Sequence, residues 1–190
     1  MTHRLDDIIA LFDGLFADTY ATRLVRGGDE PLYLPADAEC PYHRVIFARG
    51  FYASALHEIS HWCIAGERRR RLEDYGYWYL PDGRSAEQQR DFEAVEVAPQ
   101  ALERLLAEAC GHRFHVSVDN LGGDAAVDRQ AFRARVEARA ARYEREGLPP
   151  RAAALRATLH SFYQRGLGRE WAVAAGRAQL SASVPATAPA

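Results

Sequence analysis

The chain has 190 residues, 48% of them hydrophobic, with 24 basic and 26 acidic side chains and a formal net charge of -2. It is therefore long enough for one globular domain that buries about 70% of its unfolded surface, and too evenly charged for wholesale nucleic-acid binding. All the basic residues are Arg, which excludes a lysine nucleophile or Schiff base, and no apolar run approaches the ~20 residues that span a bilayer. Cys40, Cys63 and Cys110 have no C-x-x-C spacing and the N-terminal residues hold no apolar leader, so a cytoplasmic protein without disulfides is expected.

Leu5, Ile8, Ile9, Phe12, Leu15 and Phe16 recur at helical spacing behind Asp6 and Asp7, where the helix dipole favours acids. This predicts an amphipathic first helix. Residues 27–42, rich in Gly, Pro and Asp, read as loop with a brief strand at Leu32-Tyr33-Leu34, and His43–Arg49 reads as a strand leading through Gly50 into a second helix.

That second helix carries His57-Glu58-Ile59-Ser60-His61, an H-E-x-x-H motif. Residues four apart share a helix face, so both imidazoles can grip one metal ion, while Glu58 between them can reach a metal-bound water or act as acid or base without being a ligand. Residues 53–65 contain no Pro or Gly, and Gly66 stands where a C-cap is expected. Leu56, Ile59, Trp62 and Ile64 imply that the helix is mostly buried, where idle histidines would need partners.

The run Glu67-Arg68-Arg69-Arg70-Arg71 is expected to face solvent, with docking of an acidic partner as the alternative. Tyr75-Gly76-Tyr77-Trp78-Tyr79 before Pro81-Asp82-Gly83 reads as a strand ending in a turn, with Tyr75, Tyr77 and Tyr79 on one side. Ser85 and Gln88 form a capping box for a third helix, and Pro99 is expected to kink or restart it before Gly111 ends it.

A catalytic metal needs a third ligand. The metzincin positions after the motif are Ile64 and Glu67, which do not fit, and Glu67 itself lies beyond Gly66 beside the Arg run. The third helix offers Glu93 and Glu96, both within the arc of Phe92, Val95 and Val97. Glu93 is the first choice because E-A-x-x-x-x-P-x-A-L resembles the third-ligand helix of some glutamate-type zincins. Glu96 is then a group bonded to a ligand histidine, or the ligand in Glu93's place.

Phe114–Val118 reads as a strand, followed by a loop whose Asp119 and Asn120 are candidates for a polar rim. Asp128 caps a helix carrying Phe132, Val136, Ala140 and Tyr143, and Gly147 ends it. Pro149-Pro150 opens another with Leu155, Leu159 and Phe162. The pair predicts an αα-hairpin over 126–168. One catalytic domain over 1–180 and a disordered tail over 181–190 complete the expectation.

The stretches ADTYATRLVRGGDEPLYLPAD, PYHRVIFARGFYASALHEISHWCIAGERRR, LEDYGYWYLPDGR, FEAVEVAPQALE and FHVSVDNLGG together closely resemble the bacterial elongation factor P hydroxylase family, over most of residues 1–125. The resemblance implies an α+β fold with a zincin-like core and a small mixed sheet, and His57, His61 and a Glu as metal ligands. It also implies a metal-dependent hydroxylase acting on the β-lysyl-lysine side chain of elongation factor P. Zn²⁺ has no redox chemistry, whereas two His and a carboxylate are also the ligands of non-haem Fe(II) oxygenases, so Fe(II) is the expected metal and zinc the alternative. The motif alone would favour a zinc metallopeptidase with Glu58 as general base. Asp74, Tyr75, Tyr77 and Trp78 are candidate receptors for a cationic substrate chain, although the same aromatics suit a core strand.

Overall fold

The computed structural model describes residues 2–77, 82–118 and 127–182. Helix α1 spans Leu5–Tyr20, strands β1, β2 and β3 span Thr22–Arg26, Leu32–Leu34 and His43–Phe47, and α2 spans Tyr52–Ile64. Helices α3, α4, α5 and α6 follow at Ala86–Cys110, Arg129–Glu146, Pro150–Leu159 and Arg169–Ala182. The three strands form one mixed sheet in the order β1-β3-β2, so the fold class is α+β. Among the described residues, no helix is long and apolar enough to cross a membrane.

Helix α1 and strand β3 follow their local signals. Ile8, Leu11, Phe12, Leu15 and Phe16 of α1 are fully buried, and the helix stops at Ala21, whose left-handed backbone (φ 45°) sends the chain straight into β1. β3 lies in the middle, parallel to β1 (Leu24 opposite Val45) and antiparallel to β2 (Tyr33 opposite Val45). β1 has only two apolar residues in Thr-Arg-Leu-Val-Arg, too short a pattern to announce a strand.

From β3 the chain turns through Arg49 (φ 53°) and Gly50 (φ 67°) into α2. Trp62 of α2 is fully buried against Phe12, Phe16 and Tyr20, with ring centroids 5.2, 4.8 and 5.6 Å away. The helix does not end on the expected Gly66. Its C-cap is Ala65 in extended backbone, and guanidinium groups take the place of a glycine turn. Arg151 of α5 donates to the carbonyls of Cys63 and Ala65 at 3.1 and 2.6 Å, and Arg70 donates to Ala65 at 2.7 Å. Cations at the negative end of the helix dipole satisfy the carbonyls that a Gly motif would otherwise fold back upon.

Four expectations are corrected. Tyr75–Tyr77 is not strand: Glu73–Gly76 is a tight 3-10 turn with Asp74 (φ 43°) and Tyr75 (φ 59°) left-handed, and Trp78 and Tyr79 lie outside the described residues. Phe114–Val118 joins no sheet, because Gln89 and Gln100 of α3 take the backbone bonds of Ser117 and Val118 that a neighbouring strand would have made. The capping box forms as expected, with Gln88 N–H donating to Ser85 Oγ and Ser85 N–H to Gln88 Oε1, but Pro99 neither breaks nor restarts α3, which runs on to Gly111 (φ 70°). Finally, the αα-hairpin is looser than expected: α4 packs chiefly on α3 and α5 on α6 and α3, while Arg156 of α5 still pairs with Glu144 of α4. The helix α6 that draws α5 away carries only Ala172 and Gly176 as buried residues.

Candidate metal centre

The H-E-x-x-H residues stand on α2, which packs against both β3 and α3. One turn of helix brings His57 Nε2 and His61 Nε2 within 3.1 Å of each other, with the rings 73° apart. α3 closes the site. Glu96, Gln100 and Glu103 are spaced i, i+4, i+7, so they form a polar stripe on the α3 face that meets these histidines. Glu96, 4% exposed, lies with Oε1 3.2 Å from His61 Nε2 and Oε2 3.5 Å from His57 Nε2.

Glu93 stands elsewhere. Three residues amount to about 300° of helical turn, leaving it roughly 60° round the axis from Glu96. There it accepts from Gln89 Nε2 at 3.1 Å and pairs with Arg135 of α4. Among the described residues His57, His61 and Glu96 form the one group of three whose ligand atoms lie within 4.8 Å of one another. Glu67 is exposed and paired with Arg71, and Asp119 and Asn120 lie outside the described residues.

Two further side chains, unmarked in the sequence reading, hold the triad in place. Glu103 Oε2 is 2.9 Å from His57 Nδ1, leaving Nε2 to face the centre. Gln100 Nε2 donates to Glu96 Oε2 at 3.1 Å and to the Ser117 carbonyl at 2.6 Å, anchoring the carboxylate to the segment beyond α3. The i, i+4, i+7 run of Glu96, Gln100 and Glu103 on a helix otherwise buried through Leu102, Leu105 and Leu106 was the signal that would have found them.

The electrostatics are those of a cation receptor. Burial alone would raise the Glu96 carboxyl, yet His61, His57 and Gln100 hold it down to about 2. Burial would depress His57, but the Glu96, Glu103 and Glu58 carboxylates overcome it and raise the imidazole to about 10. A basic imidazole beside a carboxylate that stays ionised marks a strongly negative pocket, which suits a divalent cation in place of the proton. The geometry fits as well. Bonds of about 2.1 Å separate adjacent donors by about 3.0 Å at right angles and about 3.4 Å at tetrahedral angles. The 3.1 Å between the imidazole nitrogens, and the 3.2 and 3.5 Å from them to the two oxygens of Glu96, are close to that range.

Beside the triad is a cavity of 230 Å³ lined by Glu58, His61, Asp74, Tyr75, Tyr77 and Glu96. Burial raises the Glu58 carboxyl, opposed by the two histidines. Tyr75 reaches the cavity because the 3-10 turn is pinned by β2: Tyr33 N–H donates to Asp74 Oδ1 at 2.8 Å, and the Tyr33 ring stacks on Tyr75 at 4.2 Å. His61 lies parallel on its other side, 6.4 Å away. Left-handed backbone at two adjacent non-glycine residues costs on the order of 1 kcal/mol or more each and persists only where packing over-determines it. Of the substrate candidates, Asp74, Tyr75 and Tyr77 thus come together at the metal triad, and Trp78 lies outside the described residues.

Comparison with known proteins gives the same direction. The family model described as Elongation factor P hydroxylase matches residues 11–171. The chain is 58% identical over 163 residues to the Elongation factor P lysine hydroxylase of Haemophilus influenzae, covering 86% of this chain and 91% of that protein. With its match running from α1 into α6 and enclosing the whole His57, His61, Glu96 site, the chain belongs to the elongation factor P hydroxylase family.

Proposed function

We propose that this protein is a metal-dependent hydroxylase of the β-lysyl-lysine side chain of elongation factor P, working in the cytoplasm, with His57, His61 and Glu96 as the metal ligands. The observation that carries the reading is the convergence of those three ligand atoms beside an acidic cavity, in a chain of this family. Helix-borne H-E-x-x-H facing a carboxylate from a second helix supports the zincin-like core that the resemblance implies. Held there, Fe(II) supplies the redox chemistry that insertion of an oxygen atom from O₂ requires and that Zn²⁺ lacks.

The protein's own groups do the rest. Glu103 keeps His57 in the tautomer and orientation that present Nε2. Gln100 does the same for the Glu96 carboxylate. Glu58, on the cavity wall, is placed to take and return a proton beside the reacting carbon. Asp74 and Glu58 supply negative charge and Tyr75 and Tyr77 supply aromatic faces to the ammonium group of the incoming side chain. A zinc peptidase would use the same ligands with Glu58 as general base, but the family favours hydroxylation.

The test combines elemental analysis of protein purified without oxygen with mass spectrometry of β-lysylated elongation factor P incubated with it, O₂ and a two-electron reductant. Stoichiometric iron and a gain of one oxygen atom are expected. Zinc alone with no added oxygen would sink the reading. His57→Ala or His61→Ala should remove metal and activity together, while Glu58→Gln should keep the metal and lose turnover.

A further inference from the structure

The metal triad borders a second space. Sharing His61, Tyr75 and Tyr77 with the first cavity, a groove of 570 Å³ runs between the end of α2 and helices α3 and α4. Its character is opposite to that of the first cavity. Ile64, Val95 and Ala98 give it an apolar side, and Arg68, Arg69 and Arg139 line it with positive charge. Among the described residues none of these three guanidinium groups lies within ion-pair distance of a carboxylate, although Arg104, Arg135, Arg142, Arg145 and Arg156 of α3 to α5 each bind one. Arg69 donates to the Tyr75 carbonyl and lies 4.0 Å over the Tyr77 ring, and Arg139 donates to Tyr143 Oη at 3.2 Å. Arg139 Nε is buried with no hydrogen-bond partner. An unpaired buried N–H on a cation is costly unless something else completes it.

Resting on the hydroxylase reading, the chemistry states what that ligand must do. Forming R–OH from R–H with O₂ puts one oxygen atom into the new C–O bond and leaves the other to be reduced with two electrons, which neither the substrate carbon nor this chain supplies. We propose that the groove binds a small organic anion that serves as the two-electron donor. Arg68 and Arg139 hold its anionic group, and its oxidisable end lies at the His61 wall. A 2-oxo acid balances the reaction by losing CO₂ and keeping the second oxygen atom in the carboxylate it becomes. An enediol such as ascorbate balances it by giving two electrons and two protons, and the second oxygen atom leaves as water. The volume suits a molecule of this size. The charge division gives each ligand its own end of the joined space: the cationic side chain beside Glu58 and Asp74, the anion beside the arginines, and the two meet at the shared His61 wall.

The experiment is calorimetric titration of the anaerobic, metal-loaded protein with 2-oxoglutarate and with ascorbate, repeated on Arg139→Gln and on Arg68→Ala. Arg68 is exposed and its side chain makes no hydrogen bond or ion pair among the described residues, so its removal leaves the fold intact even if the Arg139 variant fails to fold. One of the two anions should bind with 1:1 stoichiometry. Its affinity should fall at least tenfold in each variant while metal content stays unchanged, and the product, succinate with CO₂ or dehydroascorbate, identifies the donor. Absence of binding by both anions, or equal binding in wild type and Arg68→Ala, would overturn the proposal. So would a variant whose KM rises for elongation factor P but not for the donor, since that assigns the groove to the protein substrate. Oxygen transfer undiminished in both variants overturns the groove alone, whereas specific anion binding with no oxygen transfer under either donor overturns the hydroxylase reading and with it the donor role.

Discussion

Glu96 and Glu93 differ by three residues and by everything that surrounds them. One is buried between two imidazoles and Gln100, and the other is paired with Arg135 at the edge of α4. Glu96→Gln is therefore expected to reduce bound metal below stoichiometric levels, and Glu93→Gln to leave it unchanged, as read by elemental analysis after desalting. Equal metal in both variants would reject Glu96 as a ligand. Glu103 acts through His57, so Glu103→Ala should weaken metal binding by about 10- to 100-fold, with Glu103→Gln recovering part of the loss because an amide oxygen still accepts from Nδ1–H. Competition against a chelator of known affinity measures both. A variant binding as tightly as wild type would reduce Glu103 to a packing role.

At the scale of elements, α2 is held at its C-terminal end by α5, and α5 by α6. Arg151→Met removes the guanidinium that lies 4.5 Å over the Trp62 ring and strips the Cys63 and Ala65 carbonyls of a charged donor, at an expected cost of about 3 kcal/mol in urea denaturation. The α5 and α6 contact depends on Gly176. A methyl group there would lie 2.0 Å from Thr158 Oγ1 and 2.7 Å from the Ala154 carbonyl oxygen, which is backbone and cannot step aside. Gly176→Ala should cost roughly 1–3 kcal/mol. At Gly14 the nearest atom is a Val173 methyl at 2.9 Å, on a side chain that can rotate, so Gly14→Ala should cost less. The reverse order of the two in the same denaturation series would show that α6 does not seat as described.

For the whole molecule, the proposed metal ligands come from two different helices, so metal binding and folding are linked. At a free metal concentration about 100 times Kd, linkage contributes about 2.7 kcal/mol. In a chain of this length that corresponds to a rise of roughly 5–10 °C in melting temperature. Scanning calorimetry with metal and with chelator should show that rise for wild type, and His61→Ala should melt at one temperature in both. A metal-induced rise persisting in His61→Ala would place the stabilising ion elsewhere.

Much of this was legible because its causes are local. The apolar spacing of α1, the Ser85 and Gln88 box, the Asp128 cap, the Gly111 and Gly147 stops and the H-E-x-x-H pair on one helix face each depend on residues within a turn or two. What distant partners decide was not legible. Tyr75 looks like strand by composition, but Tyr33 of β2 stacks on it and binds the preceding Asp74, bending it into a left-handed turn. Residues 114–118 look like strand, but glutamines of α3 occupy their backbone. By itself the sequence determined that two histidines share a face and that a carboxylate of α3 can join them. Only the tertiary structure decided that it is Glu96 that meets them, because that depends on the rotation of α3 against α2, and α4 takes the neighbouring glutamate for its own arginine.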